Sequence, residues 1–247
     1  MKKILSLITI FLLTLALGNL FADFRDDEKP VWGMLNDTAY TLQGGEWNID
    51  LWGPVTYGIF DNFQIGTLFW LWFAQMLNFN GKINIIPETQ VMPAFSVGGS
   101  YAQLSFTIEK TNESTGNKEK SNVTLKWYQI GGYLTKQLSE TLYLSGAYIY
   151  NGVDASASLS TSDTPVVSIT GTGNASKVLL DLIIESSKST RFSLEGVANI
   201  GNKVEFDAGG GIEWAMGDVF RLKIGIYTVI RDNLFYIPFI DLHWRFK

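Results

Sequence analysis

The chain has 247 residues, a formal net charge of −5, 14 % aromatic residues, one histidine and no cysteine. The acidic balance excludes a nucleic-acid-binding face, which needs clustered Lys and Arg. Without cysteine there are no disulfides, thiol catalysis, cysteine-based zinc sites or lipid-modified N-terminal Cys, and the lone His243 excludes a His-rich metal site.

Lys2 and Lys3 precede an uncharged, mostly apolar run from Ile4 to Leu17, and Ala22 closes a small-residue cleavage site. This predicts a signal peptide over 1–22, and hence export. The run is at the short end for a membrane helix, and mostly acidic residues follow it (Asp23, Asp26, Asp27, Glu28) instead of a positive cluster. Residues 23–44 have no strand pattern. They form either a periplasmic tail or a small plug, with Trp32 and Met34 favouring packing against a barrel mouth.

From residue 45 onward the chain reads as strands. Trp47, Ile49 and Leu51 alternate with Glu46, Asn48 and Asp50. The run 61–73 follows, and its Leu68–Phe73 end is apolar on both faces. It suits an aromatic girdle or packing against the N-terminal segment. Runs at 78–86 and 90–109 come next. In the second, the apolar phase shifts near Tyr101, and Gly98-Gly99 could permit a bulge.

After runs at 121–136 and 141–150, the alternation is clearest. Val178, Leu180, Leu182 and Ile184 share a face, with Leu179 and Ile183 as exceptions on the other. Phe192 and Leu194, then Phe206 and Ile212, then Leu222 and Ile224, then Ile240, Leu242, Trp244 and Phe246 repeat the pattern against charged neighbours. A period of two sorts side chains to opposite faces of a strand.

Connections at 61–62, 87–90, 137–141, 186–190 and 215–218 are short. The intervening stretches 111–120 and 151–174 read as long polar loops. Short turns at one end and long loops at the other characterise outer-membrane barrels. Eleven runs are visible, and an even number is expected. A turn at Gly53-Pro54, or a short strand at Thr38–Leu42, gives twelve; ten is the runner-up. The predicted fold is all-β: a closed antiparallel up-and-down transmembrane β-barrel over 45–247. A soluble periplasmic β-sandwich or lipocalin-like binder, with the apolar faces turned inward, is the alternative.

Two segments resemble known sequences. Thr38-Ala39-Tyr40-Thr41-Leu42-Gln43-Gly44-Gly45-Glu46-Trp47 and Tyr57-Gly58-Ile59-Phe60-Asp61-Asn62-Phe63-Gln64-Ile65-Gly66 resemble the opening of uncharacterised and transporter-like outer-membrane barrels, including those grouped with the MetA pathway of phenol degradation. The resemblance covers about thirty residues. It implies a barrel fold with the Asp61 turn on the periplasmic side, and it supplies no catalytic residues. The spacing of Ile240, Leu242, Trp244 and Phe246 also fits strands read by the outer-membrane assembly machinery, although Lys247 follows the aromatic.

The charged residues on the presumed inner face are the candidate site: Glu46, Asp50, Lys126, Lys177, Asp181, Glu185, Arg191, Glu195, Lys203, Glu205, Asp207, Glu213, Arg221, Lys223, Asp241, His243 and Arg245. They form either a cross-strand ion network or a charge-selective pore lining. Adjacent runs suggest Glu205 and Asp207 as partners of Arg221 and Lys223. His243 has no Ser beside it in its strand, so no catalytic triad is read and no enzyme is expected. Gly209-Gly210-Gly211 lacks the helix and Lys of a phosphate cradle and reads as a bend. No cofactor or metal is implied. The expected partners are outer-membrane lipid, the assembly machinery and small solutes.

Overall fold

A computed structural model describes residues 24, 28–33, 36–111, 118–161, 164–230 and 234–247. The predicted signal peptide and Met34 lie outside them. Twelve strands follow in chain order: β1 (Trp47–Asp50), β2 (Val55–Phe60), β3 (Phe63–Thr67), β4 (Leu77–Ile86), β5 (Ala94–Thr111), β6 (Lys118–Ser139), β7 (Leu142–Thr161), β8 (Thr164–Ser187), β9 (Thr190–Ile200), β10 (Val204–Met216), β11 (Phe220–Ile230) and β12 (Leu234–Phe246). Each pairs antiparallel with its neighbours in sequence. β1 pairs with β12 from Trp47↔Phe246 to Asp50↔His243 and closes the barrel. The count of twelve comes from the Gly53-Pro54 turn. Thr38–Leu42 is not a strand.

The polarity of this barrel is the reverse of a water-soluble core. Leu180 and Phe206 are each 59 % exposed on the outer wall, and Leu194, Ile240 and Phe79 are exposed there too. Arg191, Glu195, Asp207, Glu213, Arg221, Lys223, His243 and Arg245 are buried inside. Outward aromatics pair near both ends: Trp47–Tyr57 and Phe220–Trp244 near the short turns, Phe79–Tyr101 and Tyr128–Tyr150 near the opposite end.

Three expectations need correction. First, the two long loops are largely strand. β5 runs to Thr111 and β6 starts at Lys118, while β7 runs to Thr161 and β8 starts at Thr164. Here the face polarity inverts. Pairing from the buried Thr135 and Ser145 keeps Lys126, Asp154, Thr124, Ser156 and Thr172 outward, and Leu125, Val153, Ala155 and Ile169 inward. The strands keep their period of two, but the polar face looks out and reads as a polar loop.

Second, the phase shift near Tyr101 reflects the same inversion. The β5–β6 register is continuous from Ala94↔Thr135 to Thr111↔Lys118, with no bulge at Gly98-Gly99; the β4–β5 irregularity lies at Asn84/Ile86. Third, β3 stops at Thr67, and Phe69–Phe73 forms a short helix, α1. An all-apolar six-residue stretch has no solvent face for a strand to present. Wound at the rim, with Trp70 Nε1 donating to the Trp52 carbonyl (3.2 Å), it exposes Trp72 and Phe73.

Candidate functional site: a plugged lumen

Residues of the described N-terminal segment lie inside the barrel at the short-turn end. Val31, Ala39, Tyr40 and Leu42 pack against Tyr133, Tyr143, Ile149, Leu179, Ile183 and Val197 from the wall. This accounts for Leu179 and Ile183, the apolar exceptions on the inner face of β8: they meet a plug, not water. The segment's polar backbone is satisfied by wall side chains, as burial demands. Thr135 accepts from Ala39 N (2.7 Å), Gln64 accepts from Leu42 N (2.8 Å), Lys82 donates to the Thr38 carbonyl (3.2 Å) and Lys223 to that of Gly33 (2.8 Å).

Two glycines permit the entry of the segment into β1. Gly45 adopts φ +83°, a left-handed conformation that favours glycine. At Gly58 a Cβ would collide with the Gln43 carbonyl, so the segment crosses β2 where β2 has no side chain.

The charge centre of the plug is Glu28. Arg221, from β11, donates to it through Nε (3.1 Å) and Nη2 (2.5 Å). Arg191 and Arg245 each place Nη1 3.6 Å from its Oε1. The Glu28 side chain is 1 % exposed and that of Arg221 is fully buried. Burial pushes the Glu28 carboxyl up, but the Arg221 hydrogen bond and the charges of Arg245, Arg191 and Arg221 outweigh it and hold its pKa below the ordinary value. Glu46 binds Arg245 (2.7 Å) and Glu185 binds Arg191 (2.7 Å), so three arginines share three carboxylates. Phe24 stacks 3.8 Å from the Arg191 guanidinium. Arg191 also donates to the Glu28 carbonyl, and Arg245 to that of Lys29 (2.9 Å). On the short connection after β4, Glu88 accepts from Tyr40 Oη (2.6 Å) and Lys29 Nζ (3.2 Å). Burial raises its pKa, but the bonds from Tyr40, the Gln137 amide and Lys29 lower it further.

A second group adjoins the first, His243 lying opposite Arg221 and Glu213 opposite Arg191 in the strand registers. His243 Nε2 is 3.2 Å from Glu213, and its Nδ1 is 3.8 Å from Asp241, which touches Asp50. Asp50 Oδ1 accepts from the Trp52 and Gly53 amides and shapes the β1–β2 turn. Asp50, Asp241 and His243 border a cavity of about 560 Å³. A smaller cavity of about 250 Å³ opens beside Glu88 and Asp61, and the plug lies between the two.

Of the predicted charged set, Glu46, Glu185, Arg191, Arg221 and Arg245 gather around the Glu28 charge centre. Glu195 accepts from Asn36 (2.7 Å), and Asp181 lies against Gly33. Asp50, Glu213, Lys223, Asp241 and His243 form the second group. Asp207 accepts from Asn199 (2.6 Å), and Lys177 and Glu205 are half-buried on the inner face. Two expectations fail. Lys203 is exposed in the β9–β10 turn, and Lys126 faces outward opposite Asp154. The suggested pairing also fails: the register sets Lys223 opposite Glu213 and Arg221 opposite Ala215, with Asp207 opposite Val229. Among the described residues the ion-pair contacts of His243 are the Glu213 and Asp241 carboxylates.

Sequence reasoning missed Glu28 and Phe24. Three inward arginines, Arg191, Arg221 and Arg245, aligned toward one end of the lumen were the available signal. No family model and no curated protein matches the sequence.

Proposed function

We propose that this protein is an outer-membrane β-barrel whose short-turn end is closed by its own N-terminal segment, and that it binds or admits solutes from the opposite side instead of forming an open diffusion pore. The membrane setting is supported by the exposed apolar belt and buried charges; in a soluble lipocalin-like binder those faces would be exchanged. The plugging rests on one observation, the Glu28 carboxylate held by three arginines from β9, β11 and β12. The proposed role is binding or transport; among the described residues the ion-pair contacts of His243 are the Glu213 and Asp241 carboxylates. The predicted export signal, the short turns and the resemblance of the opening motifs to outer-membrane barrels agree with it.

Planar-bilayer conductance of the refolded protein tests the plugging. The expected record is quiet at moderate voltage. Steady, discrete open levels in the wild-type chain would overturn the closed lumen. Extraction without detergent, with no heat-modifiable mobility on a gel, would overturn the membrane setting.

A further inference from the structure

The barrel wall is not of even height. β1 has four residues, while its partner β12 has thirteen. At ~3.3 Å per residue and a tilt near ~40°, β1 rises roughly 10 Å, well short of an apolar band about 25 Å tall. The β1–β12 ladder ends where Leu51 N donates to the Leu242 carbonyl (2.9 Å). Arg245 N donates toward β11, to Val219 (2.8 Å), so alternation directs the backbone groups of the even-numbered residues toward β1. Beyond Leu242 these belong to Ile240, Pro238 and Tyr236, and among the described residues nothing pairs with them. Proline at 238 removes one of the orphan N–H groups from that open edge. An open sheet edge at membrane depth is not tolerated against lipid unless it borders a cavity or is covered.

It borders a cavity. The space of about 560 Å³ is lined on the outer side by Trp52, Pro238 and Ile240, and on the inner side by Phe239, Asp241 and His243. It therefore runs through the wall. Gly225 and Gly211 make the room for the Phe239 ring, which lies against them. The polar end is short of donors. Lys223 is engaged by the Gly33 carbonyl and His243 by Glu213, while Asp241, beside the Asp50 carboxyl, has a buried Oδ1 that no hydrogen-bond donor among the described residues reaches. In the adjoining cavity behind Pro54, Thr56, 1 % exposed, has an unpartnered Oγ1.

We infer that the gap between β12 and the β1–β2 turn is a lateral doorway. Through it an amphiphile with a hydrogen-donating end, an ammonium or a hydroxyl, passes from the bilayer into the cavity, with its apolar body on Trp52, Phe239 and Ile240 and its donor on Asp241. This inference rests on the outer-membrane reading above.

The test uses the full barrel in liposomes with three photoreactive probes of equal chain length: an alkylamine, an alkanol and a fatty acid. Cross-link sites are mapped by peptide mass spectrometry. The amine and the alkanol should label Trp52, Phe239 or Asp241 on the order of fivefold more than the fatty acid, because a carboxylate offers no donor and meets like charge. Asp241→Asn should reduce amine labelling to the fatty-acid level while leaving heat-modifiable mobility unchanged. Equal labelling by all three probes, or label spread evenly to Leu180 and Leu194 on the far wall, overturns the doorway. A protein that fails to float with the liposomes overturns the membrane reading, and the doorway with it.

Discussion

Replacing Glu28 by Gln keeps the shape of the side chain and removes its charge, leaving Arg221 buried without an ion-pair partner among the described residues, while Arg191 and Arg245 keep their contacts with Glu185 and Glu46. Breaking a buried ion pair from one side costs about 3–5 kcal/mol. The strand ladder does not pass through Glu28, so that cost falls on docking of the plug and not on closure of the barrel. At ~1.4 kcal/mol per tenfold, the undocked fraction should rise by at least about a hundredfold. Chymotrypsin cleavage after Tyr40, buried while the plug is docked, reports this fraction in the native barrel when reclosing is fast relative to cutting. The variant should be cut at least about a hundredfold faster than the wild type, with heat-modifiable mobility retained. Equal cleavage rates in a correctly folded variant would refute the assignment of Glu28 as the clamp.

Further outcomes follow from the same packing. Leu42→Ala empties a fully buried position in the plug core and should weaken docking by about 2–5 kcal/mol, read by the same cleavage. Gly58→Ala places a methyl group on the Gln43 carbonyl and should displace the segment where it crosses β2, lowering hydrogen-exchange protection at Gly45 and Glu46, whose amides are bonded there. The folded-state pKa of Glu28 is depressed, so its contribution is complete above the ordinary carboxylate value near ~4.5 and is lost as pH falls through the depressed value. Exchange protection of Ala39 and Leu42 should therefore be constant from pH 8 to about 5 and fall only in stronger acid. On β8, Leu180→Arg should destabilise the barrel in lipid by about 2–4 kcal/mol, whereas Thr170→Arg, on the outward polar extension, should be nearly neutral by urea titration in vesicles.

Where one rule governed a segment, the sequence was legible. From Lys177 on β8 through β12 charges face in and most apolar residues face out, and both the strands and the burial of Arg191, Glu213, Lys223 and His243 follow from period two. The same rule misled at 151–174, because the segment kept its alternation while its faces exchanged environments. A polar outward face of Asp154, Ser156 and Thr172 has the composition of a loop. Leu68–Phe73 was illegible for the opposite reason, being apolar in every direction. The plug could be suspected but not placed. Its contacts join residues more than 150 positions apart, such as Asn36 with Glu195 and Glu28 with Arg221, and no local pattern records them. The resemblance at Gly45 and Gly58 marked a region whose physical need, a strand crossed by a returning chain, emerges only in three dimensions.

With no native cysteine, single-cysteine spin labels along β8 address the orientation of the wall directly. In vesicles, labels at Val178, Leu180 and Leu182 should collide with oxygen dissolved in the lipid and be shielded from an aqueous nickel chelate. Those at Ser168, Thr170 and Thr172 should show the reverse. Nickel-accessible labels at Leu180 and Leu182 in the vesicle-bound protein would contradict the account.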